Sequence, residues 1–174
     1  MSHATQLTDM RHLMAGFPTG VSVVTAVTGA GDPRGMTCTS LCSVALDPPT
    51  LLVCLRRGSP TLDAVVDSGA LAVNLLHRQG RSTAELFGSG APDRFDQVPW
   101  TPAPGGPHLV EAAHTIADCT VGACQNVGDH AVVMAEVTMI TKLCAPAPLL
   151  YGMRRYGSWT EHEGDDFLFY DFIY

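Results

Sequence analysis

The stretch richest in groups that could do chemistry is residues 35–49, Gly-Met-Thr-Cys-Thr-Ser-Leu-Cys-Ser-Val-Ala-Leu-Asp-Pro-Pro. It carries hydroxyl and thiol side chains and a single charged residue, Asp47. Buried strands are usually filled with bulky β-branched and aromatic residues, whereas short polar side chains leave the backbone approachable. The stretch therefore predicts a strand against which a flat ligand with polar edges lies. Asp47, before a double proline, suits a turn and is expected to be structural.

A candidate anion site follows at Arg56 and Arg57. The next residues combine Ser59, a favoured N-cap residue, with Pro60 at the first helical position. A helix N-terminus attracts anions, because its first N–H groups lack intrahelical partners and its dipole is positive there. Two interpretations stay open from the residues alone. The first is a phosphate site, and the second is an ordinary solvated cap beside two surface arginines.

His130 and the loop at residues 152–157 are the remaining candidates. A polar residue after a Gly-Asp turn usually caps or solvates that turn, so the residues alone favour a structural role for His130. Tyr151, Arg154 and Tyr156 could contact a nucleotide or belong to an exposed basic turn. The other histidines are scattered and are expected to be structural or surface residues: His3, His12, His77, His108, His114 and His162.

The bulk composition narrows the class of protein. A chain of 174 residues, 46% hydrophobic and 16% charged, predicts one globular domain. The charged fraction is below the usual quarter, which favours burial of further surface in an oligomer. A net charge of −7 argues against general nucleic-acid binding. The N-terminal residues 1–14 lack the apolar core of a signal peptide, and no apolar run is long enough for a membrane span, so a cytoplasmic protein is expected.

The six cysteines form neither a CxxC pair nor a zinc-binding pattern. Free, mostly buried thiols and no metal site are therefore expected. The cysteines are Cys38, Cys42, Cys54, Cys119, Cys124 and Cys144.

Short strands joined by turns must position these groups. Helices are predicted at residues 8–15, 59–68 and 82–87, the last ending at Gly88. Residues 35–49 are predicted to be the return strand of a hairpin that turns at residues 29–35. A second hairpin is predicted to turn at residues 125–129. The other predicted strands are residues 21–27, 50–55, 70–76, 116–121, 131–140 and 149–151.

Two segments fall outside this pattern. Residues 89–108 are rich in glycine and proline and are long for a structureless connection, so a lid or an interface arm is predicted there. Residues 160–174 mix acids with aromatics and predict an arm that packs on the body or on a partner subunit. Hairpins with inserted helices predict a mainly β fold, a closed antiparallel barrel with helical insertions, instead of a doubly wound sheet.

Four segments in order resemble the flavin reductase family, the small reductase components of two-component flavin-dependent monooxygenases. They are residues 17–21 with 23–25, residues 35–40 with 46–49, Gly128-Asp129-His130, and residues 148–151 with 156–157. The resemblance covers about residues 10–159. It implies a split β-barrel of the flavin-binding type. It also implies a single domain over residues 1–174, with its core at about 10–159 and the arm at 160–174.

The resemblance implies an NAD(P)H-dependent flavin reductase of the EC 1.5.1 type. Such an enzyme passes a hydride from NADH or NADPH to N5 of FMN or FAD and releases reduced flavin to a partner monooxygenase. The two nucleotides carry the chemistry, so no tuned general acid or base is needed. A homodimer with the flavin near its interface is also implied. A flavin-binding module of the same barrel without turnover is the alternative.

The resemblance assigns roles to individual residues. Those implied to line or support the edge of the flavin ring are Met36, Thr37, Cys38, Thr39, Ser40, Leu41, Cys42 and Ser43. Those implied to hold the ribityl phosphate or close that side are Cys54, Leu55, Arg56, Ser59, Thr61, Phe87 with Gly88, and Arg94 with Phe95. Those implied to face the nicotinamide nucleotide are His130, as its positioning residue, and Tyr151, Arg154 and Tyr156.

Overall fold

The computed structural model of the chain describes residues 9–145 and 147–158. The helices are α1 (Met10–Ala15), α2 (Pro60–Ser68) and α3 (Arg81–Ser89), the last preceded by a 3-10 turn at Arg78–Gly80. The strands are β1 (Thr19–Gly20), β2 (Ser22–Val27), β3 (Pro33–Cys38), β4 (Cys42–Leu46), β5 (Pro49–Arg56), β6 (Ala70–Leu76), β7 (Ala113–Val127), β8 (His130–Lys142), β9 (Leu149–Gly152) and β10 (Arg155–Ser158).

The strands form two antiparallel sheets. The larger has the order β3-β2-β6-β7-β8-β5-β4, and the smaller has the order β1-β9-β10. The mainly β, antiparallel character is therefore confirmed. Within the described residues the ladder of the larger sheet stays open, and its two edge strands, β3 and β4, are consecutive in the chain.

The prediction of one return strand over residues 35–49 is wrong. The stretch forms two strands, β3 and β4, which lie at opposite edges of the larger sheet. The break falls between them at residues 39–41, where the Ser40 hydroxyl bonds to the backbone of Cys54 on β5. A short hydroxyl side chain competes well for backbone partners, and here it replaces the ladder for one residue.

The helix ends follow from their capping residues. Ser59 caps α2 by accepting a hydrogen bond of 3.2 Å from the N–H of Leu62, and Gly69 ends the helix in the left-handed conformation with φ 66°. Both ends were predicted. The predicted end of α3 at Gly88 is wrong, because the helix continues to Ser89 and Gly90 adopts the left-handed conformation with φ 77°.

Two hairpins are tighter than predicted. The turn between β7 and β8 is only Gly128-Asp129, so residues 125–127, predicted as turn, are strand. Residues 155–158, predicted to lie mostly in a loop, form β10, because Met153 and Arg154 both have positive φ and close a two-residue turn. Tyr156 then packs across from Tyr151 with ring centroids 5.2 Å apart.

Two hydrophobic cores lie on the larger sheet. The first packs the buried face of α2, with Leu62 and Val65, against strand residues such as Val53 and Leu55. The second gathers around the buried ring of Phe87 on α3. Phe95 packs on that ring edge-to-face at 5.0 Å, and Trp100 packs on Phe95 at 5.9 Å.

The last four residues of the predicted lid, residues 105–108, are part of the core. Asn74, fully buried on β6, donates to the Val23 carbonyl and the Thr25 hydroxyl at 3.1 Å and accepts from the N–H of Leu109 at 2.8 Å. His108 bonds to the buried Asp118 carboxylate at 3.0 Å, and the same oxygen accepts from the Gly105 N–H at 2.8 Å. The lid or arm prediction is therefore wrong for residues 105–108.

The predicted arm at residues 160–174 lies outside the described residues. None of the helices in the described ranges is long and apolar enough to cross a bilayer. The described residues contain no group of three or more side chains suited to bind a metal ion.

We expect Asn74→Ala to lower the free energy of unfolding by about 2–4 kcal/mol, because it leaves buried backbone groups of β2 and Leu109 without partners. Asn126→Ala, at an exposed position on β7, is the matched control and should change that free energy by less than about 0.5 kcal/mol. Chemical denaturation of both variants is the measurement. Equal stability of the two variants would contradict the role of Asn74 as the anchor of residues 105–109.

Candidate active site

β3 lies between α2 and α3, and both helices contact it. Thr37 fixes the strand to α3, because its hydroxyl donates a hydrogen bond of 2.6 Å to the Ala84 carbonyl. Gly88, one turn further along α3, is exposed, and a Cβ built there would lie 3.8 Å from the Thr37 hydroxyl. The neighbouring Met36 is half-buried against the first core. Because successive side chains of a strand point to opposite faces, α2 and α3 pack on the two faces of β3.

Ser40 ties the end of β3 to β5. Its hydroxyl accepts from the Cys54 N–H and donates to the Cys54 carbonyl, both at 3.0 Å. The Cys38 sulfur lies 3.1 Å from the same hydroxyl, and burial raises the pKa of the Cys38 thiol. From Cys54 the chain continues through Arg56 to the cap of α2 at Ser59. The structure thus brings together β3, the end of β5 and the start of α2, as the assigned roles require.

Several assigned residues turn their side chains into the protein. Leu55, Thr61 and Phe87 are at most 1% exposed, and Cys38 is 5% exposed. A ligand at the surface therefore has almost no access to Leu55, Thr61 and Phe87, and little access to Cys38. Thr39 is exposed and Leu41 is half-buried in the break between the strands. Cys42 and Ser43 are exposed on β4, the edge strand opposite β3 in the hydrogen-bonded order.

His130 begins β8 and lies directly opposite Arg56 of β5 in the strand register. Its Nδ1 is 2.9 Å from the Asp129 carboxylate. The hydrogen bond with His130, followed by its charge, lowers the pKa of Asp129, and Arg56 contributes in the same direction. The structure therefore places Arg56 beside His130 as well as before the cap of α2. The strand pairing that joins these residues is long-range, so the sequence carried no signal for it.

The tyrosines and arginine of the predicted loop form a second group on the smaller sheet. Tyr151 and Tyr156 are half-buried, and the guanidinium of Arg81 on α3 lies 5.3 Å from the Tyr156 ring centroid. Burial is the largest cause that raises the pKa of Tyr156. Arg154 is exposed in the turn between β9 and β10. Arg81 was missed because its sequence position, early in α3, gives no indication of the β9-β10 hairpin.

A cavity of about 280 Å³ adjoins the break between β3 and β4. Thr39 and Leu41 form part of its wall, together with the start of β2, the end of β6 and His114. Burial lowers the pKa of His114, and the nearby His77 adds to that effect. His114 was expected to have a structural or surface role, and the cavity was not predicted. The residues that line the cavity come from strands far apart in sequence.

Arg94 lies over the Phe87 ring, with its guanidinium carbon 5.9 Å from the ring centroid. Burial lowers the pKa of Arg94, and the charge of Arg34 on β3 adds to that effect. Gly35 fits closely here, since an added Cβ would be 3.0 Å from the Phe87 ring and 3.1 Å from the Phe95 ring. The assigned grouping of Arg94, Phe95 and Phe87 beside β3 thus has a geometric basis.

The family model for the flavin reductase like domain matches residues 14–160. The chain belongs to this family. Among its relatives, a "Flavin reductase (NADPH)" of Lentzea aerocolonigenes is 53% identical over 154 residues, which are 87% of this chain and 89% of that protein. The reductase subunit HsaB of a flavin-dependent monooxygenase from Mycobacterium tuberculosis is 34% identical over 143 residues, 81% of this chain and 76% of that protein.

A solved structure supports the same family at the level of the fold. SgcE6, an NADH:FAD oxidoreductase of Streptomyces globisporus C-1027 solved in complex with NAD and FAD fragments, superposes with a TM-score of 0.82. The two chains are 29% identical, and the match covers 90% of this chain and 98% of that one. The family resemblance drawn from the four sequence segments is therefore confirmed.

Proposed function

We propose that this protein is an NAD(P)H-dependent flavin reductase of the EC 1.5.1 type, which supplies reduced flavin to a partner monooxygenase. The single observation that carries the proposal is the edge strand β3, which contacts both α2 and α3 and which the Ser40 contact with Cys54 holds to β5. The named relatives add support, since one is a flavin reductase and another is the reductase subunit of a monooxygenase.

The edge of β3 and the nearby start of α2 suit the two ends of a flavin nucleotide. β3 is an edge strand, so alternate backbone groups on its outer edge are available to the polar edge of a flat ring. The ring edge would meet Met36, Thr37, Cys38, Thr39 and Ser40 through these backbone groups. The ribityl phosphate would lie at the start of α2, where the helix dipole is positive and Ser59 already accepts from the Leu62 N–H, so that the Thr61 N–H is the first-turn donor left for an anion. The exposed Gly88 leaves room on the α3 side.

The nicotinamide nucleotide would bind from the side of His130. Its neighbour Arg56 supplies positive charge at the same end of the sheet. With both nucleotides bound, the C4–H bond of the nicotinamide breaks and an N5–H bond forms on the flavin, so two electrons move with the hydride and the flavin leaves as its reduced anion. The protein's own task is to stack the rings at near-attack distance.

Finer features belong to the same proposal. The Ser40 contact between β3 and β5 supports a closed split barrel, in which side chains bridge the gap between the sheet edges. Exposed apolar residues on the strands, including Met134, Met139 and Ile140, support a homodimer. A single domain and a cytoplasmic location complete the proposal, and the cofactors remain FMN or FAD with NADH or NADPH.

The test combines each of NADH and NADPH with each of FMN and FAD. Turnover is measured as the loss of the absorbance of the reduced nicotinamide. We expect turnover in at least one combination, with a second-order rate constant in the usual enzyme range of about 10⁴ M⁻¹s⁻¹ or more. Flavin binding without turnover in any combination would contradict the enzyme and favour a non-catalytic flavin-binding module. Absence of flavin binding in a fluorescence-quenching titration would contradict both.

Gly88→Leu tests whether flavin binds at the β3 edge beside α3. The added side chain should fill the space above Thr37 and weaken flavin binding at least about tenfold, because a ring held at the β3 edge needs that volume. Ser89→Leu, at the next exposed position of the same helix, is the matched control and should bind flavin as the unmodified protein does. The dissociation constants come from fluorescence quenching of the flavin. Equal flavin affinities of the two variants would contradict a flavin site beside α3.

A further inference from the structure

Arg57, directly after β5, holds the turn of the β7-β8 hairpin that precedes His130. Its side chain donates to the Gly128 carbonyl at 3.0 Å. Its backbone N–H donates to the Asp129 carbonyl, also at 3.0 Å. Both bonds reach the two-residue turn between β7 and β8, where Gly128 adopts a φ of 58°. Arg57 therefore limits the movement of the turn relative to Arg56 and the start of α2.

The Asp129 carboxylate then fixes the imidazole ring. His130 Nδ1 lies 2.9 Å from Asp129 Oδ1, while the His130 side chain is 45% exposed. The bond with His130 keeps the pKa of Asp129 below its usual range, so the carboxylate is ionised at neutral pH and the bond weakens only in acid. An ionised carboxylate can only accept hydrogen bonds, so Nδ1 must carry the proton.

The opposite ring nitrogen is left for a ligand. Within the described part of the chain, no hydrogen bond occupies His130 Nε2. With the proton held on Nδ1, a neutral ring presents a lone pair at Nε2, which accepts a hydrogen bond from an N–H donor. The charged groups around the ring are Asp129 in the turn, Arg56 across β5 and Arg57, while its register partner on β7, Val127, is uncharged.

We propose that Asp129 and Arg57 are positioning residues, which hold His130 with its Nδ1–H on the carboxylate and its Nε2 directed at the nicotinamide substrate. The carboxamide group of nicotinamide has the N–H donor that such an acceptor requires. Arg57 sets the position of the turn, and Asp129 sets the tautomer and the orientation of the ring. This inference rests on the proposed function, because it assigns the nicotinamide nucleotide to the side of His130.

The first test is independent of turnover. Long-range ¹H–¹⁵N correlation spectra of the whole protein at pH 8 report which nitrogen of His130 carries the proton, with His130→Ala used to assign the signal. We expect the Nδ1–H form in the unmodified protein and a shift toward the Nε2–H form in Asp129→Ala. An Nε2–H form in the unmodified protein would overturn the inference whatever the enzyme's activity.

The second test separates KM from kcat. Asp129→Ala and Arg57→Ala should each raise the KM for the nicotinamide nucleotide about tenfold and leave flavin affinity within about twofold. Asp129→Asn should keep a KM close to that of the unmodified protein, because its amide oxygen still accepts from Nδ1–H. Asp67→Ala, an exposed acid late in α2, is the control, and the denaturation midpoint checks the fold of each variant.

The outcomes distinguish the inference from the proposed function. An unchanged KM in Asp129→Ala and Arg57→Ala, with the tautomer confirmed and turnover intact, would show that the Asp129 contact is only structural and would overturn the inference. Absence of turnover in the unmodified protein would overturn the proposed function instead. The spectra would still decide whether Asp129 holds the proton on Nδ1.

Discussion

The open edge of β3 is the constraint on which the rest of this structure depends. An edge strand presents unpaired backbone groups and is usually a liability, because other chains can pair with it. Here α2 and α3 flank the strand, and the Ser40 hydroxyl binds both backbone groups of Cys54 on β5. The edge is thereby kept accessible to a small ligand while its ends are held in place.

The hydroxyl groups on and beside β3 bond to other parts of the protein, whereas the sequence alone indicates contacts with a ligand. Thr37 donates to α3, Ser40 bonds to β5, and Ser22 on the neighbouring strand donates to the Cys38 carbonyl at 2.9 Å. These side chains are occupied by the protein, so they hold the strand in place. The backbone groups on the outer edge of β3 are what remain for a flavin.

The nicotinamide side of the proposed site depends on the pairing of β5 with β8 and not on the edge of β3. The register of β5 and β8 brings Arg56 opposite His130, and Arg57 fastens the turn that precedes His130. The same sheet carries the buried Asn74, which anchors residues 105–109 through Leu109, a member of the second core. The flavin side and the nicotinamide side of the proposed site therefore share one rigid frame, as a hydride transfer between two stacked rings demands.

Local signals made much of the fold predictable. The cap at Ser59, the stop at Gly69 and the β-branched run of β2 each reflect short-range preferences, and the structure follows them. The misread features depend on distant partners. The break in residues 35–49 needs Cys54, and the burial of residues 105–109 needs Asn74 and Asp118.

The candidate site was predictable to the extent that family motifs mark it. The role proposed for Arg57 was not, because its contacts with the turn at Gly128 and Asp129 arise only when β5 pairs with β8. A strand pairing of this kind is set by tertiary packing, which single residues and their spacing do not reveal. The cavity lined by His114 was missed for the same reason.

Hydrogen–deuterium exchange with and without flavin tests the central claim most directly. Edge amides of β3 without ladder partners should exchange quickly in the free protein and slow down when flavin binds. The account predicts that flavin slows exchange in peptides covering residues 36–41 and 54–62, with the β9-β10 hairpin little changed. Flavin-dependent slowing confined to that hairpin, with residues 36–41 unaffected, would contradict it.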